Sequence, residues 1–183
     1  MKRCIAYIDG GSRGNPGIAG YGVALQDEGG RGIDQLSVSL GIRTNNYAEY
    51  SALIGALEYV HLHHYDAIKV YADSELLVRQ INGKYKVRHP DLKKLYDQAK
   101  AQISKLKSFS IHHVPRERNR EADRLANLAM DAGVPPARSR NNKQEVPEKI
   151  LAVYRHGCFE LLEAVDLPEN GKFYLAVIPA DKG

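Results

Sequence analysis

The chain has 183 residues, 43% of them hydrophobic and 26% charged, an ordinary balance for a globular protein long enough to bury its own core. No apolar run approaches the roughly 18 residues of a membrane span and an acid at position 9 comes too early for a secretory leader, so a cytoplasmic protein with no membrane partner is expected. Two cysteines, Cys4 and Cys158, exclude a disulfide framework, and the net charge of +4 is unevenly placed: residues 79–107 hold nine Lys or Arg against two Asp, a face that would draw a polyanion unless it is only a solvated helix surface.

Cys4 to Ile8 is an apolar, β-prone run that delivers Asp9 to its end, and a glycine-dense segment follows from Gly10 to Gly17. Such a segment lets backbone come close to a ligand; a hairpin with an acidic turn is the plainer reading. Gly20 to Gln26 and Gln35 to Leu40 read as two more strands, the latter alternating Leu36, Val38 and Leu40. Short Gly-rich links make the three an antiparallel meander. From Thr44 to about His63 the period becomes helical, with Ala52, Leu53, Ala56, Leu57 and Val60 on one stripe and Thr44 or Asn45 as N-cap. Glu49 falls on that same apolar stripe. A carboxylate there has to be paired, neutralised or metal-bound, because burying it bare costs several kcal/mol.

Ala67 to Ala72 is another β-prone run ending in an acid, Asp73, which with Ser74 is also a candidate cap for the helix that Asn82-Gly83 stops. Pro90 opens a longer helix, Asp91 to Leu106, with Leu92, Leu95, Ala99, Ile103 and Leu106 inward and lysines outward. Phe109 to Val114 is a fifth strand. Asn119 to about Met130 is a helix with apolar set Ala122, Leu125, Ala126, Ala129 and Met130, and Asp123 beside it. Residues 133–149, rich in proline and polar residues, read as a linker. Ile150 to Arg155, Cys158 to Glu163 and Lys172 to Ile178 read as three short strands of a small β-rich domain, residues 150–183, too small to be stable unaided.

Four acids, Asp9, Glu49, Asp73 and Asp123, are thus placed to converge at one end of a sheet. Their oxygens are hard ligands suited to Mg²⁺ or Mn²⁺, and paired ions are a recurring device for phosphodiester cleavage. The stretches that hold them are Asp9-Gly-Gly-Ser-Arg-Gly-Asn-Pro-Gly with Gly20-Tyr-Gly, Thr44-Asn-Asn-Tyr-Ala-Glu-Tyr, Tyr71-Ala-Asp-Ser-Glu and Val114-Pro-Arg-Glu-Arg-Asn-Arg-Glu-Ala-Asp-Arg-Leu-Ala. In order and spacing they resemble the type 1 ribonuclease H family over residues 1–132. That resemblance implies an α/β fold with a five-stranded mixed sheet, the first three strands antiparallel, and helices on both faces. It implies an endonuclease that hydrolyses the RNA strand of RNA–DNA hybrids with two metal ions, Mg²⁺ or Mn²⁺, leaving 5′-phosphate and 3′-hydroxyl ends. It makes Asp9, Glu49, Asp73 and Asp123 the catalytic metal ligands. Gly10, Gly11 and Asn15 would approach the RNA strand, while Thr44, Asn45 and Asn46 would meet the DNA strand or base edges.

The chain departs from the bacterial pattern in three places. The basic protrusion between the second and third helices is replaced by Gly83-Lys-Tyr-Lys-Val-Arg-His, as in archaeal-like members, and Lys84, Lys86 and Arg88 are expected to substitute for it. The loop that carries a catalytic histidine is shortened, leaving Arg116 or His113 as the assisting cation; Arg116 is preferred because His113 lies in a strand. Glu75 stands where glutamine is common. The tail from Leu151 to Gly171 resembles short prokaryotic antitoxin-like proteins that pair, which implies a homodimer or docking role unless it packs on its own nuclease domain. The alternative function is a hybrid-binding module with weak catalysis tethered to a partner by this tail; four retained acids argue against it.

Overall fold

Segments of period 2 and period 3.6 alternate along the chain as βββαβααβα, and the computed structural model, which describes residues 1–132 and the backbone of 152–155 and 158–161, realises that order. The strands are β1 (Arg3–Gly14), β2 (Gly17–Gln26), β3 (Gly32–Arg43), β4 (Ala67–Ala72) and β5 (Ser108–His113). The helices are α1 (Asn45–Leu62), α2 (Glu75–Ile81), α3 (Pro90–Ile103) and α4 (Arg120–Ala132), with a short 3-10 turn at Arg116–Arg118. They form one mixed sheet of order β3-β2-β1-β4-β5. The first three strands are antiparallel, and β4 and β5 run parallel to β1.

The largest departure from the sequence expectation is at the start. β1 does not stop at Asp9; it continues through the glycine-dense segment to Gly14 and stays paired with β2 down to the Gly14–Gly17 pair. A ladder of backbone bonds needs no side chains, and here the missing ones make room for helices. A Cβ on Gly10 would lie 2.2 Å from the Ala48 carbonyl carbon of α1, and one on Gly11 2.9 Å from Met130 Cε of α4. Successive strand residues face opposite sides, so α1 and α4 cover opposite faces of the sheet. Gly20 and Gly22 of β2 extend the seat of α4, where added Cβ atoms would come within 2.6 Å of Ala129 Cβ and 2.3 Å of the Ala122 carbonyl oxygen.

The core lies on the α1 side. Cys4, Ala6 and Ile8 of β1, Val23 and Leu25 of β2, and Ile68 and Val70 of β4 meet Tyr50, Leu53, Leu57 and Val60 of α1. Each fully buried Leu or Ile contributes about 1.5–3 kcal/mol of transfer free energy. α1 is buried on more than one side because α3 packs behind it; α3 itself buries only Ala99 completely and keeps its lysines outside. It ends at Ile103 rather than Leu106. Ser74, not Asp73, caps α2, its hydroxyl accepting the Leu77 N–H, which leaves the Asp73 carboxylate uncommitted as a cap. Asn82 and then Gly83, at φ +75°, end that helix. On α4 the buried set is Ala122, Leu125, Ala126, Ala129 and Met130.

The chain divides into two compact units, Met1–Arg138 and Ser139–Gly183. In the second, β6 (Ala152–Arg155) and β7 (Cys158–Leu161) form an antiparallel pair. The expected linker at 133–149, the third tail strand at 172–178 and, apart from the backbone of β6 and β7, the tail pattern from which pairing or docking is expected lie outside the described residues. Among the described residues no helix is long and apolar enough to cross a membrane.

Candidate active site

The parallel register of β1 and β4 ends at the Ile8–Ala72 pair. Asp9 follows on β1 and Asp73 comes directly after the end of β4, so two carboxylates stand level on neighbouring segments. Glu49 comes from the second turn of α1, brought in because Gly10 lets the helix backbone at Ala48 and Glu49 approach β1. One oxygen from each of the three acids lies within 4.8 Å of the others. They line a cavity of about 340 Å³ that Arg116 and Asp123 close from the α4 side.

The charges in this cluster are mutually unfavourable. Asp9 is 8% exposed and its carboxyl is pushed up to about 7, first by burial and then by the neighbouring Asp73 and Asp123 charges. Burial, then Asp9 and Asp73, raise Glu49 well above the ordinary carboxylate range, with the Gly10 backbone and Arg116 opposing. Glu49 Oε2 is buried without a hydrogen-bond partner among the described residues. Three converging carboxylates with an unpaired oxygen are a donor set for a hard divalent cation, whose charge would offset the burial and remove the repulsion that raise Asp9 and Glu49. The residues therefore fit a Mg²⁺-type ion, with Asp9, Glu49 and Asp73 to hold it.

Asp123 is placed differently from the other three. Its Oδ1 accepts from Arg116 Nε at 3.1 Å and from a second guanidinium nitrogen, and Asn127 Nδ2 donates to its Oδ2 at 3.3 Å. It borders the same cavity but stands outside the tight group of three. The paired carboxylate holds the Arg116 guanidinium firmly charged. His113, the other candidate cation, is exposed at the end of β5 and does not line the cavity.

The remaining sequence candidates fall into two places. Around the N-terminus of α1, Thr44 Oγ1 caps the helix by accepting the Tyr47 N–H at 3.3 Å, and Asn15 Oδ1 accepts the Asn45 N–H at 3.1 Å. Asn45, Gly10 and Gly11 border the cavity; Asn46 is exposed in the first turn. Gly10 has a packing reason to be glycine, the approach of α1, apart from any ligand. Lys84, Lys86 and Arg88 are exposed on the loop after α2 and do not enter the cavity. That loop is folded back by Lys84 and Tyr85 N–H groups donating to the Arg79 carbonyl. Glu75 is engaged by the Arg79 guanidinium, with contacts of 2.6 and 3.0 Å.

Five site residues were not singled out as such from the sequence: Ser12, Arg13, Asn127 and Met130, which line the cavity, and Asn119. Asn119 Nδ2 donates to Asp73 Oδ1 at 3.0 Å and to the Ile8 carbonyl at 2.8 Å. The available signal was the spacing Asn119, Asp123, Asn127, a polar row at intervals of four along the edge of the α4 apolar face.

Comparison with known proteins follows the same residues. The profile of the family described as "Reverse transcriptase-like" matches residues 7–129. The bifunctional protein Rv2228c of Mycobacterium tuberculosis is 44% identical over 158 residues, covering 82% of this chain; this chain spans 40% of that protein's length. Ribonuclease H of Ruthia magnifica is 34% identical over 149 residues, 72% of this chain and 97% of that enzyme. Among solved structures, LC11-RNase H1 in complex with an RNA/DNA hybrid superposes with a TM-score of 0.69 at 41% identity, covering 72% of this chain and 99% of the other.

Proposed function

The chain belongs to the ribonuclease H family, and we propose that it is an endonuclease that hydrolyses the RNA strand of RNA–DNA hybrids with Mg²⁺ or Mn²⁺, leaving 5′-phosphate and 3′-hydroxyl ends. The observation that carries this reading is the convergence of Asp9, Glu49 and Asp73 within 4.8 Å on elements separated by tens of residues. The hybrid bound by LC11-RNase H1, a relative at 41% identity, supports the substrate class.

In this reading Asp9, Glu49 and Asp73 hold the cation, with Asp123 completing the acidic set for a second ion. A divalent cation bound there supplies Lewis-acid polarisation of the phosphodiester and a more acidic water. The chain's own part is to place the substrate. The Gly10 and Gly11 backbone, together with Asn15, is the surface that an RNA strand approaches, where the 2′-hydroxyl distinguishes it from DNA. Thr44, Asn45 and Asn46 at the start of α1 face the DNA strand. Arg116, charged and 72% exposed as a side chain, meets the phosphate from the α4 side. Lys84, Lys86 and Arg88 hold the backbone at longer range, which makes binding salt-dependent.

The test is cleavage of an RNA–DNA hybrid, with single-stranded RNA, double-stranded RNA and DNA as controls, in Mg²⁺, Mn²⁺ and EDTA. The hybrid alone should be cut, and only with metal. Asp73→Asn removes a cation ligand; losing several kcal/mol of transition-state stabilisation, at tenfold per 1.36 kcal/mol, should lower kcat on the order of 10³-fold. Near-wild-type cleavage by that variant would overturn the assignment.

A further inference from the structure

At 1% exposure, Asn119 is the most deeply buried polar side chain among the described residues. It sits just before α4 and ties three parts of the cavity together. Its Nδ2 has two hydrogens and two acceptors: the carbonyl of Ile8, the residue before Asp9, and Oδ1 of Asp73. Its own carbonyl accepts the Asp123 N–H at 3.0 Å, setting the first turn of α4, and its N–H donates to the Arg116 carbonyl. One residue thus touches the backbone or side chain next to three of the four acids.

The chemistry of the side chain narrows the reason it is there. Both acceptors face the same nitrogen, so a carboxylate at this position would set like dipoles and charges against each other, and a hydroxyl with one hydrogen would serve only one partner. The amide orientation is fixed for the same reason, since the flipped form would aim Oδ1 at two acceptors. Oδ1 is buried with no hydrogen-bond partner among the described residues. A buried orphan acceptor is unfavourable, and an apolar side chain of similar shape would avoid it. Packing alone therefore gives no reason for an amide here, whereas the two donated bonds do.

We propose that Asn119 is a positioning residue: by holding the Asp73 carboxylate against the Ile8 level of β1, it sets the affinity of the acid cluster for its divalent cation. This rests on the nuclease reading given above. Donors of this kind behind a metal ligand typically change metal affinity or activity by 10–100-fold.

The experiment uses the full chain and two readouts. The first needs no substrate: the Mg²⁺ or Mn²⁺ concentration giving half of the metal-induced rise in Tm. The second is kcat and KM on a hybrid. Asn119→Leu, which keeps the branched outline and removes both donors, should move the metal midpoint upward by roughly 10–100-fold and lower kcat at fixed metal, with KM for the hybrid nearly unchanged. Asn119→Ser, with one donor, should fall between, and it carries the same readout if the leucine variant does not fold. In an Asp73→Asn background, Asn119→Leu should add no further shift, because its effect runs through Asp73. An unchanged metal midpoint, even with a lowered Tm, or a full additional shift in that background, overturns the proposal. The wild-type arm separates the two ideas: no metal response and no hybrid cleavage sinks the nuclease reading, whereas a metal-responsive wild type whose Asn119 variants keep the wild-type midpoint sinks only this one.

Discussion

At pH 8 without divalent cations, Asp9→Asn should make the protein more stable. In the folded chain burial, then Asp73 and Asp123, push the Asp9 carboxyl from its ordinary 3.8 up to about 7, while in the unfolded chain it titrates near the ordinary value. Below about pH 4 both states hold the proton and there is no penalty. As pH rises from there through about 7, the unfolded state ionises first and stability is lost; above that window the loss is complete. A displacement from 3.8 to about 7 corresponds to a ceiling of about 4 kcal/mol, and the raised Glu49 acts in the same direction. Asparagine has the same shape and no charge to bury. At roughly 2–4 °C per kcal/mol for a chain of this size, Tm in EDTA at pH 8 should rise on the order of 10 °C, and the two proteins should converge near pH 4. Saturating Mg²⁺ should stabilise the wild type more than the variant, because the ion neutralises the charge that the variant lacks. Thermal unfolding followed by circular dichroism from pH 4 to 9 measures all of this. Equal Tm values at pH 8, or a difference that does not change with pH, would refute the account of the cluster as unneutralised charge.

Two further outcomes follow from the geometry. Gly10→Ala would place a methyl 2.2 Å from the Ala48 carbonyl carbon and 2.3 Å from the Glu49 nitrogen; backbone cannot yield as a flexible side chain does, so the cost should exceed the about 1–3 kcal/mol of ordinary overpacking and cleavage should fall as Glu49 is displaced. Urea unfolding that matches the wild type would contradict the seating of α1 on β1. Replacing Lys84, Lys86 and Arg88 together by alanine should raise KM for the hybrid at low salt and reduce the slope of log KM against log salt by up to about 3, leaving kcat unchanged; an unaltered slope would remove that loop from the binding surface.

Legibility in the sequence tracked how local the cause was. β4 and the inward set of α4 were readable because a β-prone run and a period of 3.6 are properties of consecutive residues. Glu49 was conspicuous as an acid on an apolar stripe, and Asp9 and Asp73 as acids ending β-prone runs; the structure brings these three together. The extension of β1 through Gly14 was not readable, because glycine has no strand preference and its reason here is tertiary: α1 and α4 need the space. The separate position of Asp123 was also hidden. Its spacing on α4 marks it as an acid at the helix start, but the Arg116 bond that engages it depends on how the 3-10 turn folds back. Asn119 resembles any polar residue ahead of a helix until Ile8 and Asp73, distant in sequence, are seen to share its amide.

The location of the cavity follows from a mismatch in strand length. β1 runs for 12 residues and β4 for 6, and their pairing ends at Ile8 and Ala72. Beyond that point β1 keeps its β2 partner but has no strand on its other side, so a notch opens at the end of β4. It lies where the sheet order turns from antiparallel to parallel, the kind of place at which open α/β sheets leave a crevice. The two glycines immediately past Asp9 seat α1 against one face and α4 against the other, and those helices supply the walls with Glu49 and Asp123 on them. Larger side chains at 10 and 11 would push both walls away. The glycines that look in sequence like a ligand-facing loop are therefore needed first by the packing, and the acid cluster is a consequence of how closely that packing closes the notch.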